Sequence, residues 1–222
     1  MKKGMSTYFL GRGLQYNVTL IHPRRVLKTE TTQEQKEKVL RSWGETPASV
    51  QKYVQRGNRD LLSSLDLVSS HLNLNFEQSA ELWKLLGRPI FCAETTSYSQ
   101  DYGLAPIELV RRSPKLYTLI YRQMVRDYTQ LTYRLWSFGL HDRIMNFYTN
   151  CSYLPNDSFI LHDFGELTGD YSLIREQLTS EHFRRSSTYR NRSNTAQRKF
   201  LTTHFRRYLT VEELDKYWRV AL

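Results

Sequence analysis

Strand-like and helix-like patterns are segregated along this chain, and that segregation limits its possible folds more than any other feature. Residues 6–30, "STYFLGRGLQYNVTLIHPRRVLKTE", read as three short strands joined by a glycine turn and a tight turn at "HPRR". Helical spacing then takes over. "TTQEQKEKVLRSWG" opens on an N-capping Thr, continues in helix formers through Arg41 and meets Gly44 as a stop. Within residues 47–86, the segments "PASVQKYVQRG", "RDLLSSLDLVSSHL" and "NFEQSAELWKLLG" each repeat apolar residues three or four apart, with Asn75 or a neighbour capping the last. A long amphipathic helix is expected from Ser113 to Phe138, ended by Gly139, and "TVEELDKYWR" carries a capping box of Thr210 and Glu213. Between these helices lie a short strand at 89–92, a loop or strand edge at 95–103, a loop "LHDRIMNFYTN", and a hairpin running from "CSY" through "LPNDS" to "FILHDFG". A small antiparallel sheet at one end and helices over most of the remainder predict an α+β fold.

With 40% hydrophobic and 13% aromatic residues, the 222-residue composition belongs to a folded protein and excludes a disordered one. No apolar run approaches the roughly 18–20 residues of a membrane span, and Lys2 and Lys3 are not followed by the apolar stretch of a secretory signal. Cys92 and Cys151 lie far apart without Cys or His at zinc-ligand spacing, so two buried, reduced thiols and a cytoplasmic location are expected. Delivery into another cell by a non-classical route stays open.

The formal charge of +10 points to polyanionic partners: nucleotide, nucleic acid, acidic protein or membrane surface. It is concentrated between His182 and Leu209, where eight Lys or Arg occur without an acid. Residues 184–207 are therefore either a surface for an acidic partner or nucleic acid, or a solvated helix face.

Two stretches carry the chemistry. "GRGLQYNV" at 11–18 places Gly11 and Gly13 between two strands, as a hairpin turn or as a loop whose backbone approaches phosphates. "FILHDFG" ends an apolar strand in Asp163, Phe164 and Gly165, which presents a carboxylate beside a sharp turn. Their order is glycine loop, lysine in the third strand, helix with glutamates, long helix, loop containing His-Asp and Asn, hairpin, then Asp-Phe-Gly. It resembles the protein-kinase-like superfamily from about Leu10 to Gly165.

That resemblance implies a two-lobed fold: residues 1–105 form a sheet-bearing part with a helical insertion, and residues 106–222 a shortened, mainly helical part. It implies ATP and Mg²⁺ as cofactors. Gly11, Gly13 and Val18 match fixed positions of the Gly-x-Gly-x-x-Gly-x-Val loop, and Tyr16 stands where its third glycine belongs. "RVLK" is similar to Val-Ala-Ile-Lys and nominates Lys28 for the α and β phosphates, its partner carboxylate coming from Glu34, Glu37 or Glu45, with Glu37 preferred. Asp163 is the implied magnesium ligand, with Glu166 ranked below it. The catalytic loop departs from His-Arg-Asp-x-x-x-x-Asn. Asn150, 13 residues before Asp163, is the second metal ligand, yet Met145 occupies the position of the base. Asp142, the only carboxylate of the loop, serves as base if the loop is longer than usual or if Asn146 takes the metal role. With 57 residues after Gly165 and no Ala-Pro-Glu segment, the resemblance is to a minimal or atypical kinase. Lys28 and Asp163 are expected to face a solvent-filled cleft. Three functions follow: a phosphotransferase moving the ATP γ-phosphate to a hydroxyl, on a protein acceptor; a pseudokinase that binds nucleotide or a partner; and a basic nucleic-acid-binding protein.

Overall fold

The computed structural model describes residues 8–12, 15–22, 24–42, 44–74, 76–92, 95–112 and 114–219. Gly13, Asn75 and Ser113 lie outside the described residues. The expected meander is β1 (Tyr8–Arg12), β2 (Tyr16–His22) and β3 (Arg25–Glu30), with Val18 opposite both Gly11 and Lys28. Gly44 follows α1 (Gln33–Ser42) at φ 84°, a conformation glycine adopts without Cβ strain, and so ends the helix as expected.

α2 (Pro47–Leu74) is one helix of 28 residues that runs straight through Gly57. Val50, Val54, Leu61, Leu65 and Val68 fall on one buried stripe, and their packing outweighs the roughly 1 kcal/mol that a mid-helix glycine costs. α3 (Phe76–Leu85) leads to β4 (Ile90–Phe91) and β5 (Tyr98–Asp101). The stretch expected as a loop or strand edge thus contains an interior strand. β5 pairs antiparallel with β3 and β4 in a five-stranded sheet of order β1-β2-β3-β5-β4.

Residues 102–105 carry the chain from the sheet to the helical body. Leu104 exchanges backbone hydrogen bonds of 2.9 Å with Tyr153 in both directions. Gly103 passes so close that any Cβ there would overlap the Tyr153 carbonyl. α4 (Pro106–Arg112) and a 3₁₀ turn at Pro114–Leu116 precede α5 (Tyr117–Trp136), the central helix. The long helix is therefore shorter than expected at both ends, although Gly139 stops it at φ 68°.

Beyond α5 come β6 (His141–Asp142), α6 (Phe147–Asn150), the hairpin β7 (Cys151–Tyr153) with β8 (Phe159–Leu161), and β9 (Leu167–Thr168), which returns to pair with β6. α7 (Tyr171–Thr179), a 3₁₀ turn at His182–Arg185, α8 (Ser187–Asn191), α9 (Thr195–Tyr208) and α10 (Val211–Tyr217) complete the described chain. The Thr210 hydroxyl accepts the Glu213 amide at 3.2 Å, as the capping pattern predicts. Among the described residues, the reciprocal bond from the Thr210 amide to the Glu213 side chain is not one of those of α10, whereas a complete capping box, Asn194 with Gln197, starts α9.

One apolar cluster joins Tyr16 and Tyr98 of the sheet, Leu61 and Val68 of α2, Met124 and Leu135 of α5, and Phe205 of α9. The sheet and the helices share this core, and the fold is α+β. Cys151 is buried but Cys92 is exposed, which corrects the expectation for that thiol; both are free. No helix among the described residues is long and apolar enough to cross a membrane.

Candidate functional site

A cavity of about 840 Å³ opens where the sheet faces α2 and the turns around β6, β7 and β8. β2 and β3 form its roof, since strand alternation sends Tyr16, Val18, Val26 and Lys28 to the same side. α2 contributes Tyr53, Gly57 and Asp60. His162, Asp163 and Glu166 lie on the chain between β8 and β9.

Lys28 is the centre of the arrangement. Only 6% of it is exposed, and its Nζ donates to the His162 carbonyl at 2.6 Å, one residue before Asp163. The ammonium also lies 5.4 Å from the Tyr98 ring centre and 5.8 Å from that of Tyr16, positions favourable for a cation over a π face. Burial lowers the pKa of the amine, while the Asp163 carboxylate acts to raise it. The same surroundings raise the phenols of Tyr16 and Tyr98, through burial first and Asp163 second.

Three buried polar atoms on the cavity wall have no hydrogen-bond partner among the described residues: Asp163 Oδ1, Gln100 Oε1 and Ser152 Oγ. A buried polar atom left unsatisfied costs about 1–3 kcal/mol. All three belong to residues that line the cavity, and because the atoms themselves are buried, an occupant would meet them only after side-chain rotation.

On the α2 side, Arg143 bridges two carboxylates. Its Nη2 donates to Asp60 Oδ2 at 2.5 Å and to Glu166 Oε2 at 2.7 Å. Burial raises the Glu166 pKa and Arg143 opposes that shift. The Ser64 hydroxyl, one turn beyond Asp60, lies 2.8 Å from the Asp60 carbonyl and 3.1 Å from the Leu167 carbonyl, sharing its one proton between them where α2 packs against β9.

Lys28, Tyr16, Val18 and Asp163 are brought together as the sequence suggests. Gln15 of "GRGLQYNV" reaches the Asp-Phe-Gly turn, where its amide covers Gly165 so closely that a Cβ on that glycine would overlap it. Phe164 is buried against Tyr98, with ring centres 4.8 Å apart, and so anchors the residue after Asp163. Gly11 lies in β1, within a strand and not at the turn itself.

Other candidates fall elsewhere. Glu37 accepts from Gln33 at 3.0 Å and pairs with Arg41 at 3.6 Å on its own helix, leaving Lys28 to the His162 carbonyl. Asp142 is 3% exposed and does not line the cavity; its carboxylate accepts the Tyr128 hydroxyl at 3.0 Å and the Ile144 amide at 3.3 Å. Burial pushes its pKa up to about 7. Asn146 does line the cavity, but its Oδ1 accepts from the Thr188 hydroxyl at 2.7 Å and its Nδ2 donates to Thr149 at 2.8 Å. Asn150 lies behind Asp163, its carbonyl accepting the amides of His162 and Asp163 at 2.8 and 3.0 Å.

Sequence reasoning missed Asp60, Arg143, Gln100 and Ser152. Arg143 stood within the inspected loop, but its partners are 83 and 23 residues away, a pairing no local pattern encodes. No protein-family model matches the chain, and no curated protein matches it.

Proposed function

We propose that the cavity binds a nucleoside triphosphate with magnesium, in a two-lobed protein-kinase-like arrangement, and that the chain acts first as a nucleotide-binding module of the pseudokinase kind. The carrying observation is that Lys28 and Asp163, 135 positions apart in the sequence, line one cavity beneath the strand that follows the glycine pair. Further support comes from the segment 102–105 as the connection between sheet and helices, and from Gln15 lying over Gly165.

The residues fit the cofactor. Among the described residues no three His, Cys, Asp or Glu side chains form a group able to hold an ion by themselves. Magnesium needs no such group, because it is held by one or two carboxylates together with phosphate and water. Asp163, with its unpartnered Oδ1, supplies a carboxylate. Lys28 supplies the phosphate-binding cation, and Gln100 and Ser152 offer hydrogen bonds to the remainder of the nucleotide. When bound, magnesium would neutralise charge on the phosphates.

Binding ranks ahead of transfer because neither position of the inspected loop that would supply the base is free to do so. Asp142 is spent on Tyr128 and Ile144, and Met145 cannot take a proton. The second reading, transfer of the γ-phosphate to a hydroxyl of a protein acceptor, is favoured by the unpartnered Asp163 oxygen beside Lys28. Phosphoryl transfer depends chiefly on positioning and charge neutralisation. A missing general base typically costs about 10²–10⁴-fold, which slows the reaction without abolishing it.

ATP labelled at the γ-phosphate separates the two. The binding reading predicts retention of labelled ATP with neither labelled protein nor free phosphate. Transfer predicts label on an acceptor or on the chain itself, lost in Asp163→Asn and unaffected in rate by Asp142→Asn if that variant is folded.

A further inference from the structure

On a different face, part of the basic run of the last third is engaged within the fold. Arg184 and Arg206 both pair with Glu181, and Arg198 donates to the carbonyls of Tyr189 and Arg190. Those three arginines are occupied with holding α8, α9 and the preceding 3₁₀ turn together.

Lys199 and Arg207 of α9 and Arg122 and Arg126 of α5 form no ion pair among the described residues, and all four are exposed. α5 and α9 pack side by side. Along their seam runs a ladder of rings spaced four residues apart: Phe200 stacks on His204 with centres 5.7 Å apart, and His204 meets Tyr208 at 4.6 Å. Arginines cap both ends. Arg122 lies 5.4 Å over Phe200, and Arg207 lies 5.2 Å over Tyr208. Burial, and after it the charges of Arg126 and Arg207, lower the His204 pKa. The nearest α5 acid, Asp127, is turned away to Gln123 and Tyr153.

We propose that the α5–α9 seam binds single-stranded nucleic acid, with Arg122, Arg126, Lys199 and Arg207 meeting its phosphates and its bases stacking on the exposed faces of the Arg122 guanidinium and the Tyr208 ring. Interleaved cations and aromatic faces are what such a strand requires, because phosphates need the first and unpaired bases the second. An acidic peptide would use the charges and leave the rings idle. A membrane needs side chains free to insert, whereas Phe200 and His204 are half-buried in the seam. Exposed Leu116 and Leu119 at the start of α5 nevertheless make an anionic lipid surface the competing occupant. None of the seam residues lines the nucleotide cavity, so the inference stands apart from the proposed function.

The test is fluorescence anisotropy with a labelled 20-residue uridine RNA, between 50 and 200 mM salt. Four phosphate contacts predict a slope of about −0.7 per contact, hence roughly a 50-fold loss of affinity across that range. Combining Arg122→Glu, Arg126→Glu and Arg207→Glu should weaken binding at least tenfold and flatten the salt slope by about 2. Lys38→Glu, Arg41→Glu and Lys52→Glu on α1 and α2 change net charge equally and should leave both values near wild type. Tyr208→Ala should weaken binding about fivefold or more. If the Glu set melts early, the corresponding Gln set replaces it, with a predicted loss in the same direction. Equal weakening by both charge sets, a flat salt response, or binding to phosphatidylserine vesicles in place of RNA would each overturn the proposal.

Discussion

Asp142 and Lys28 show how burial decides what a charged residue can do. Asp142 has its pKa raised from the ordinary carboxylate value to about 7, chiefly by burial, so the folded state holds a proton that the unfolded state releases near pH 4. Its contribution to stability therefore falls as pH rises from about 4 to 7. His141 and His162, lowered to about 3 and about 4 by burial, act oppositely: their contribution is lost as pH falls below about 6.5. Asp142→Asn removes only the first effect. Urea unfolding should show the variant losing stability on acidification from pH 7 to 4 more steeply than wild type, and parallel curves would show that Asp142 is ionised in the fold. Lys28 is the second case. The sequence reading places it in a solvent-filled cleft, where Lys28→Ala is harmless to the fold, but the side chain is buried between two tyrosines. Ala removes the stem and leaves the His162 carbonyl unpartnered, an expected loss of about 1–3 kcal/mol. Lys28→Met loses the same hydrogen bond but keeps the apolar stem. Its urea midpoint should therefore exceed that of Lys28→Ala.

Among the elements, α2 and the segment 102–105 position the cavity, and each contains a glycine with a different purpose. Gly57 has helical geometry with nothing within 4 Å of where a Cβ would stand. Gly57→Ala should stabilise the protein by roughly 0.5–1 kcal/mol, read as a higher urea midpoint; a lower one would mean that the space is not open. Gly103 is the reverse, because a Cβ there meets the Tyr153 backbone, which cannot swing aside. Gly103→Ala should destabilise by about 1–3 kcal/mol through overpacking. These contrasts also mark what was legible in the sequence. β2, β3 and the β7–β8 hairpin could be read because alternation and turn residues are local signals. β5 was obscured by its short, polar text, since Ser99 and Asp101 are held in place by partners elsewhere: Ser99 accepts from Arg25 at 3.0 Å, and Asp101 is clamped by Arg88 at 2.5 Å and Arg25 at 3.4 Å. The continuity of α2 was hidden by Gly57, whose local preference is overridden by the buried stripe of Val50, Val54, Leu61, Leu65 and Val68 on the same face.

At the scale of the whole molecule, the order of motifs, through its resemblance to protein kinases, led to the expectation that Lys28 and Asp163 share one site, and both line one cavity. That order did not place Asp60 and Arg143, whose roles arise only when α2 docks on β9, nor did it show that Asp142 is held inside by Tyr128. What unites the molecule is the apolar cluster shared by sheet and helices, with the cavity left open where Lys28, Asp163 and the Arg143 bridge interrupt it. A ligand that binds only the folded state raises its stability by mass action, by about 2.7 kcal/mol at a hundredfold excess over Kd. For a chain of this length, that corresponds to a rise in Tm of roughly 5–10 °C. The decisive measurement is the thermal shift produced by ATP with magnesium in wild type, Lys28→Met and Asp163→Asn, each compared with its own ligand-free Tm. A rise of that size in wild type, lost or strongly reduced in both variants, is the predicted result. No rise in wild type, or the same rise in all three proteins, would contradict a nucleotide site built on Lys28 and Asp163.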